Sequence, residues 1–301
     1  MHVLIVGGSG FIGSHLRSYL EGSAQVSITS RNPRRAGDRV VVWDGGLLDD
    51  VVISRTDVIV NLAGADIAGK RWTRTRKREI IESRTDPTRR LVRSIAEASR
   101  PPRLLVNASG INYYPMGGDA PLNESAPRGK GFLSEVCAAW EREALEARAY
   151  GVRVVLTRFG PVLGDGGFLS RLRFPFLMGV GGVFGSGEQY LSWVHVMDLC
   201  RIIAFVIDEE KVHGEVNVTA PRPVRMRAFC YAYARALRRP CLLRYPEWLL
   251  NLMLGERAST ITEGACVLPQ KLHSAGFRFS YPNVEDALLD LTRTGRPRRD
   301  V

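Results

Sequence analysis

Short apolar runs recur through the first half of the chain, at His2–Val6, Val26–Thr29, Val40–Trp43, Val58–Leu62, Leu104–Asn107 and Val152–Arg158. Runs of this length, rich in Val, Ile and Leu and bounded by turn residues, read as strands. Stretches with helical spacing of apolar positions separate several of them, notably Ser14–Leu20, Thr75–Ala98 and Phe132–Tyr150. Strand alternating with helix predicts the α/β class, a doubly wound parallel sheet. Pro87 lies inside the longest helical pattern and is expected to kink or split it, because proline lacks the amide hydrogen a helix interior needs. After Arg158 the pattern changes to glycine-rich loops, short strands and three further helical stretches, Met226–Arg238, Trp248–Leu254 and Val284–Leu291. Glycines at 164–167 and 179–187 bracket Phe174–Met178, which reads as a lid. The expected organisation is a first domain over residues 1–160, with some later segments returning to it. A smaller α+β lid-bearing domain follows over 161–291, and an Arg-, Gly- and Pro-rich flexible tail covers 292–301.

Composition narrows the class. With 301 residues, 45% hydrophobic and 24% charged, the chain is neither disordered nor fibrous. It contains no apolar run of the length that spans a bilayer. The formal charge of +11 raises the question of a polyanionic partner. However, only five of the 42 basic residues are lysines, and the densest basic stretch, Arg71–Arg93, reads as a helical pattern and not as a known nucleic-acid-binding module. Neither nucleic acid nor membrane is therefore the expected partner. The five cysteines form no CxxC pair and suit a reducing compartment, and no secretory leader pattern opens the chain, so the expected location is the cytoplasm. No metal site is expected.

The first apolar run ends at Gly7-Gly-Ser-Gly10-Phe11-Ile12-Gly13 and passes into a helical pattern. Strand, glycine turn and helix in that order form the context of a dinucleotide fingerprint. Gly7 permits the turn, Gly10 lets backbone approach a pyrophosphate, Gly13 allows close helix–strand packing, and the amides of the helix start, Phe11 and Ile12 among them, face the phosphates. NAD-specific sites place a carboxylate at the end of the second strand. Here the sequence is Thr29-Ser30-Arg31-Asn32-Pro33-Arg34-Arg35, with no acid, and Ser30 with Arg31 can hold a 2′-phosphate instead. The expected cofactor is NADP(H). Asp44, just past the third strand, is placed for an adenine edge, and Leu62-Ala63-Gly64, just past the fourth, for lining the cofactor.

These features, with Asn61-Leu-Ala-Gly-Ala65, resemble the extended short-chain dehydrogenase/reductase superfamily. Arg71-Trp-Thr73, Ser83-Arg84, Asn112-Tyr-Tyr114, Phe132-Leu133 with Trp140-Glu141, and Pro161-Val-Leu-Gly164 are similar to one branch of it. So are Gly185-Ser-Gly-Glu-Gln189, Ser192-Trp-Val-His195, Asp198-Leu199 and Gly276-Phe277. That branch comprises epimerase-like proteins with a short C-terminal domain of unknown function, also labelled cell-division-inhibitor homologues. The resemblance runs from residue 1 to about 291. Most of the superfamily carries a catalytic Tyr-x-x-x-Lys, in which lysine lowers the tyrosine's pKa. No such pair exists in this chain, and its place falls near Leu133 and Cys137.

The resemblance leaves the end of the fifth strand as the candidate catalytic site, in two registers. If Tyr113 is the equivalent tyrosine, Ser109 is its serine; if Tyr114 is, the serine has become Gly110. A phenol without a cationic neighbour keeps its proton at neutral pH and suits donation to a carbonyl better than abstraction from an alcohol. Relatives also imply that Gln189, Trp193 and His195 border the substrate pocket, with Trp72 facing it from the other side. The leading functional expectation is an NADP(H)-dependent oxidoreductase or epimerase-type enzyme acting on a small polar or carbonyl-bearing substrate. The alternatives are an NADP(H)-binding regulatory protein without catalysis, and a non-redox isomerase or cyclase using the inherited pocket. A homodimer is the candidate assembly.

Overall fold

The computed structural model describes residues 1–32, 37 and 39–294, the last without its side chain. Pro33, Arg34 and Arg35 of the loop after the second strand lie outside these, as does the expected tail beyond 294.

The chain opens with β1 (His2–Val6), α1 (Phe11–Leu20), β2 (Gln25–Ser30), β3 (Val40–Val42), α2 (Asp50–Ser54) and β4 (Val58–Asn61). Next come α3 (Arg74–Glu97), β5 (Leu104–Gly110), α4 (Phe132–Leu145) and β6 (Arg153–Phe159). The following stretch holds β7 (Val162–Leu163), α5 (Gly167–Leu177), β8 (Gly182–Phe184), β9 (Tyr190–Leu191), β10 (Val194–His195), α6 (Val196–Asp208) and β11 (Gly214–Val218). The chain ends with β12 (Val224–Arg225), α7 (Met226–Leu237), β13 (Leu243–Tyr245), α8 (Glu247–Leu254), α9 (Ser259–Thr262), α10 (Gln270–Ser274) and α11 (Val284–Thr294). Residues 292–294, read as the start of the tail, continue this last helix.

Seven strands form one sheet in the order β11-β6-β5-β4-β1-β2-β3, and the pairs β1–β2, β1–β4, β2–β3 and β4–β5 are parallel. The fold is therefore the Rossmann-like α/β fold. The chain winds outward from β1 to β3 and then returns to β4 on the opposite side of β1, so strand order reverses between β1 and β4. Open α/β sheets bind ligands in the crevice beyond the strands' carboxyl ends at such a switch point. Val3, Leu4, Ile5, Val58, Ile59, Val60 and Leu104–Val106 have essentially no exposure. Their unbroken apolar runs fit a sheet covered on both faces.

Pro87 does not split its helix: α3 runs uninterrupted for 24 residues. Ile80 and Thr85 before the proline, and Thr88, Leu91, Val92 and Ile95 after it, are all buried, so tertiary packing holds both halves to one element.

The chain divides into two compact units, and it passes between them repeatedly. One comprises Met1–Tyr113, Arg128–Arg158 and Cys200–Val216; the other comprises Tyr114–Pro127, Phe159–Leu199 and the chain from Asn217 onward. Segment 114–127 thus groups with the second unit although it lies within the first 160 residues. The second unit has its own core, in which Leu163, Phe176, Trp193, Phe229, Tyr233, Val284 and Leu288 pack together. The segment Phe174–Met178, read as a lid, begins within helix α5, and Phe174 and Met178 are exposed. Among the described residues, no helix is long and apolar enough to cross a membrane.

Candidate cofactor site and strand-end residues

The glycine turn after β1 is built for close approach. Gly7 sits at φ +81, and a Cβ there would stand 3.1 Å from the Leu62 carbonyl carbon. At Gly13 a Cβ would come within 2.5 Å of the Gly7 oxygen and 2.6 Å of the Gly8 Cα, so α1 packs onto the turn only because residue 13 has no side chain. Gly10 caps α1 without a side-chain hydrogen bond, which leaves the helix's first amides, at Phe11 and Ile12, unclaimed by any cap. A dinucleotide pyrophosphate fits this cradle, because the helix start offers donors and a positive dipole end.

The flanking positions are held by short-range contacts. Ser30 is buried, and its hydroxyl accepts the Asn32 amide at 3.2 Å, which turns the chain at the end of β2. Arg31 is exposed beside it. No acid stands at this strand end in the sequence, and part of the loop lies outside the described residues. Asp44 is exposed and accepts the Gly46 amide at 2.7 Å, an Asx turn that fixes the loop after β3. At the end of β4, Asn61 orders the turn that follows: its side-chain oxygen accepts the Ala63 amide at 3.2 Å, while its amide group donates to Thr88 and to Asn107. Leu62 and Ala63 therefore sit beside Gly7.

The two tyrosine registers separate cleanly. Tyr114 is almost fully buried in the second unit, and its hydroxyl donates to Asn217 Oδ1 at 2.7 Å. This is a packing position, so the register that pairs Tyr114 with Gly110 is set aside. Tyr113 is half-buried in the first unit, the unit that also contains Ser109. Ser109 is linked to Tyr113 through two residues to which the sequence assigned no role. Its hydroxyl donates to Glu141 Oε1 at 2.7 Å, and Arg158 grips the same carboxylate with Nε on Oε1 and Nη2 on Oε2, both at 2.8 Å. The Arg158 guanidinium then stacks on the Tyr113 ring, 3.6 Å from its centroid, so the expectation of a tyrosine without a cationic neighbour does not hold for Tyr113. The side chains of Arg158 and Glu141 are 3% and 6% exposed, so this is a buried, bidentate pair. At the place where relatives carry lysine, Cys137 is buried. Burial above all, and then the Glu141 charge, push its thiol up to about 11, so it is protonated at neutral pH and is no nucleophile there.

The residues expected at a substrate pocket are each tied into their own surroundings. Trp72 donates from Nε1 to the Ile67 carbonyl at 2.8 Å and packs edge-on against Phe132. In the second unit, the Gln189 amide group donates to the Phe184 and Ile261 carbonyls, and its oxygen accepts from Ser186. His195 is 1% exposed, stacks on Tyr281 at 3.8 Å and accepts the Met197 amide at Nδ1. That assigns its ring proton to Nε2, 3.4 Å from Asp290, and makes it an internal strut instead of an exposed acid. Trp193 has no exposed surface, and its indole N–H has no partner among the described residues. A buried donor left unpaired is uncommon and costly.

Glu141 was visible in sequence as part of a motif but without a role. Arg158 carried the clearer signal: an arginine closing an apolar strand must find a buried partner. Its partner lies on another element, so the pairing needed the fold.

The comparisons with known proteins agree with this geometry. Residues 3–219 match the NAD dependent epimerase/dehydratase family, and residues 245–291 match a domain of unknown function, DUF1731. The chain is 37% identical over 297 residues to the epimerase family protein YfhF of Bacillus subtilis, covering 97% of this chain and 98% of that protein. Among solved structures it is similar to the human epimerase family protein SDR39U1 with NADPH, at 32% identity and a TM-score of 0.89, covering 97% of this chain and 99% of that one. It is also similar to a nucleoside-diphosphate sugar epimerase of Corynebacterium glutamicum, at 27% identity and a TM-score of 0.80, covering 97% of this chain and 58% of that one. With its glycine cradle at the β1–β4 switch point and a match spanning both of its parts, the chain belongs to the NAD-dependent epimerase/dehydratase family, in the form that carries a C-terminal DUF1731 domain.

Proposed function

We propose that this chain is an NADP(H)-dependent oxidoreductase of epimerase-like type that reduces a carbonyl group on a small polar substrate. The observation that carries the reading is the acid-free end of β2, where Ser30 and Arg31 follow a complete glycine cradle. The NADPH present with the 32%-identical human relative supports the same choice. Gly7, Gly10 and Gly13, with the amides of Phe11 and Ile12, would take the pyrophosphate. Arg31 and Ser30 would take the 2′-phosphate, with Arg31 acting as a bidentate donor. Asp44 would meet the adenine, and Leu62–Gly64 would line the crevice.

When bound, NADPH supplies the hydride. Because Ser109 donates to Glu141, its hydroxyl would accept a hydrogen bond from substrate, and the Tyr113 hydroxyl would donate to a carbonyl oxygen.

The first test is calorimetric titration with NADPH and NADH. NADPH should bind at least about ten-fold more tightly, the worth of one charge-assisted contact. Arg31→Asp should reverse the order; equal affinity in wild type would end the NADP(H) reading. Loss of NADPH absorbance across a panel of small carbonyl compounds then tests turnover, and Tyr113→Phe with Ser109→Ala should abolish it. A second reading, a cofactor-binding regulatory protein without catalysis, is favoured by one observation: Glu141 already holds the Ser109 proton. NADPH binding with no turnover across the panel is the outcome that selects it.

A further inference from the structure

Arg84, on α3, presents a cation close to the turn that follows β4. Its Nη1 donates to the Ile80 carbonyl and its Nη2 to the Ala65 carbonyl, both at 3.0 Å, which uses only part of its five-donor fork. No carboxylate of the described residues lies within ion-pair distance of it. Asp66 acts on it only from further away, and Arg76 opposes it. The guanidinium presses on the turn after β4: a Cβ on Gly64 would stand 2.9 Å from Arg84 Cζ. On its other side it lies 5.2 Å from the Trp140 ring and acts electrostatically on Cys137, whose sulfur would meet a Cβ on Gly110 at 3.6 Å. Arg84 thus sits between the ends of β4 and β5, within the first unit. Burial lowers its proton affinity, so holding this charge without a counter-ion costs stability.

The position along the crevice identifies a ligand group. A dinucleotide whose pyrophosphate rests on the turn between β1 and α1 lays its adenosine half toward β2 and β3, where Ser30, Arg31 and Asp44 stand. Its other half then runs toward β4 and β5, past Gly64. We propose that the Arg84 guanidinium holds the nicotinamide-half ribose, supplying from α3 a cation at the place where this chain has Cys137 on α4 instead of lysine. The remaining N–H groups of Arg84 would donate to the ribose hydroxyl oxygens. Gly64 would be required because any side chain there would displace the guanidinium.

The inference rests on the NADP(H) reading, and one experiment separates the two. NADPH and 2′,5′-ADP, which carries the phosphate-bearing half of the cofactor without nicotinamide or its ribose, are titrated into wild type, Arg84→Gln and Arg84→Lys. Failure of wild type to bind NADPH would overturn the cofactor reading itself. Given binding, Arg84→Gln should weaken NADPH by roughly ten-fold or more. It should leave 2′,5′-ADP within about two-fold, and Arg84→Lys should fall between. Equal weakening of both ligands would make Arg84 a clamp on the loop after β4 and no more. Unchanged NADPH affinity, or Arg84→Lys no better than Arg84→Gln, would equally overturn the proposal. Should Arg84→Gln fail to fold, Arg84→Lys alone must still lose NADPH affinity selectively.

Discussion

Glu141 and Arg158 each place a charge where water is nearly absent, and each is acceptable only because the other is there. Removing one partner from such a pair strands the other and costs about 3–5 kcal/mol, whereas replacing both by apolar groups of similar volume is often close to neutral. Glu141→Leu should therefore lower the urea midpoint sharply, and Glu141→Leu with Arg158→Met should recover most of the loss. A double variant as unstable as the sum of its singles would show that the pair is not coupled. The buried thiols give a pH dependence. Cys137 is pushed up to about 11, and Cys200 and Cys230 to about 12, from an ordinary 9.0, burial being the main cause in each. The folded thiols keep their protons to higher pH than the unfolded ones, so their contribution is complete below about pH 9 and fades as pH rises toward 11–12. Stability measured by denaturant should fall over that alkaline window, and Cys137→Ala should flatten its lower part. An identical slope in wild type and Cys137→Ala would refute the assignment.

At the scale of elements, the β1–α1 joint is the most constrained piece of the chain. Gly13→Ala would place its methyl carbon 2.5 Å from the Gly7 oxygen, a clash with backbone that no side-chain rotation relieves. The expected cost is about 1–3 kcal/mol of overpacking, together with loss of NADPH binding as the turn is pushed open. A calorimetric titration of the variant that matches wild type would refute the close-packing role. This joint was legible in sequence because its geometry is local: a strand, three glycines and a helix within 20 residues. The α3 helix was less legible. Pro87 promised a break, but burial of Thr85, Thr88 and Leu91 on both sides keeps one continuous element. Packing of this kind is decided by residues far away in sequence, such as Trp140, whose indole donates to Thr88 at 3.0 Å.

Over the whole molecule, part of the arginine excess is held in ion pairs. Within Arg71–Arg93, Arg76 pairs with Glu79, Arg89 with Asp86 and Glu143, and Arg93 with Glu97. Cofactor binding gives a global prediction. NADPH at about 100 times its Kd should raise stability by about 2.7 kcal/mol, since a ligand of the native state alone stabilises by mass action. Hydrogen exchange should slow at the amides of 7–13 and 62–64 in the first unit. A melting curve unmoved by NADPH would contradict the proposed site. The sequence by itself determined the α/β class, the strand-by-strand order of the first half, the glycine cradle and the missing lysine, because each is written in a local pattern or in the absence of a residue type. Only the tertiary structure decided that Tyr114 is a core residue hydrogen-bonded to Asn217, and that His195 is a buried strut. Likewise it alone joined Ser109 to Tyr113 through Glu141 and Arg158, and set Arg84 against Gly64 with no counter-ion among the described residues. The physical reason is the same in each case: burial and charge pairing depend on which distant segments the folded chain brings together, and neither periodicity nor spacing carries that information.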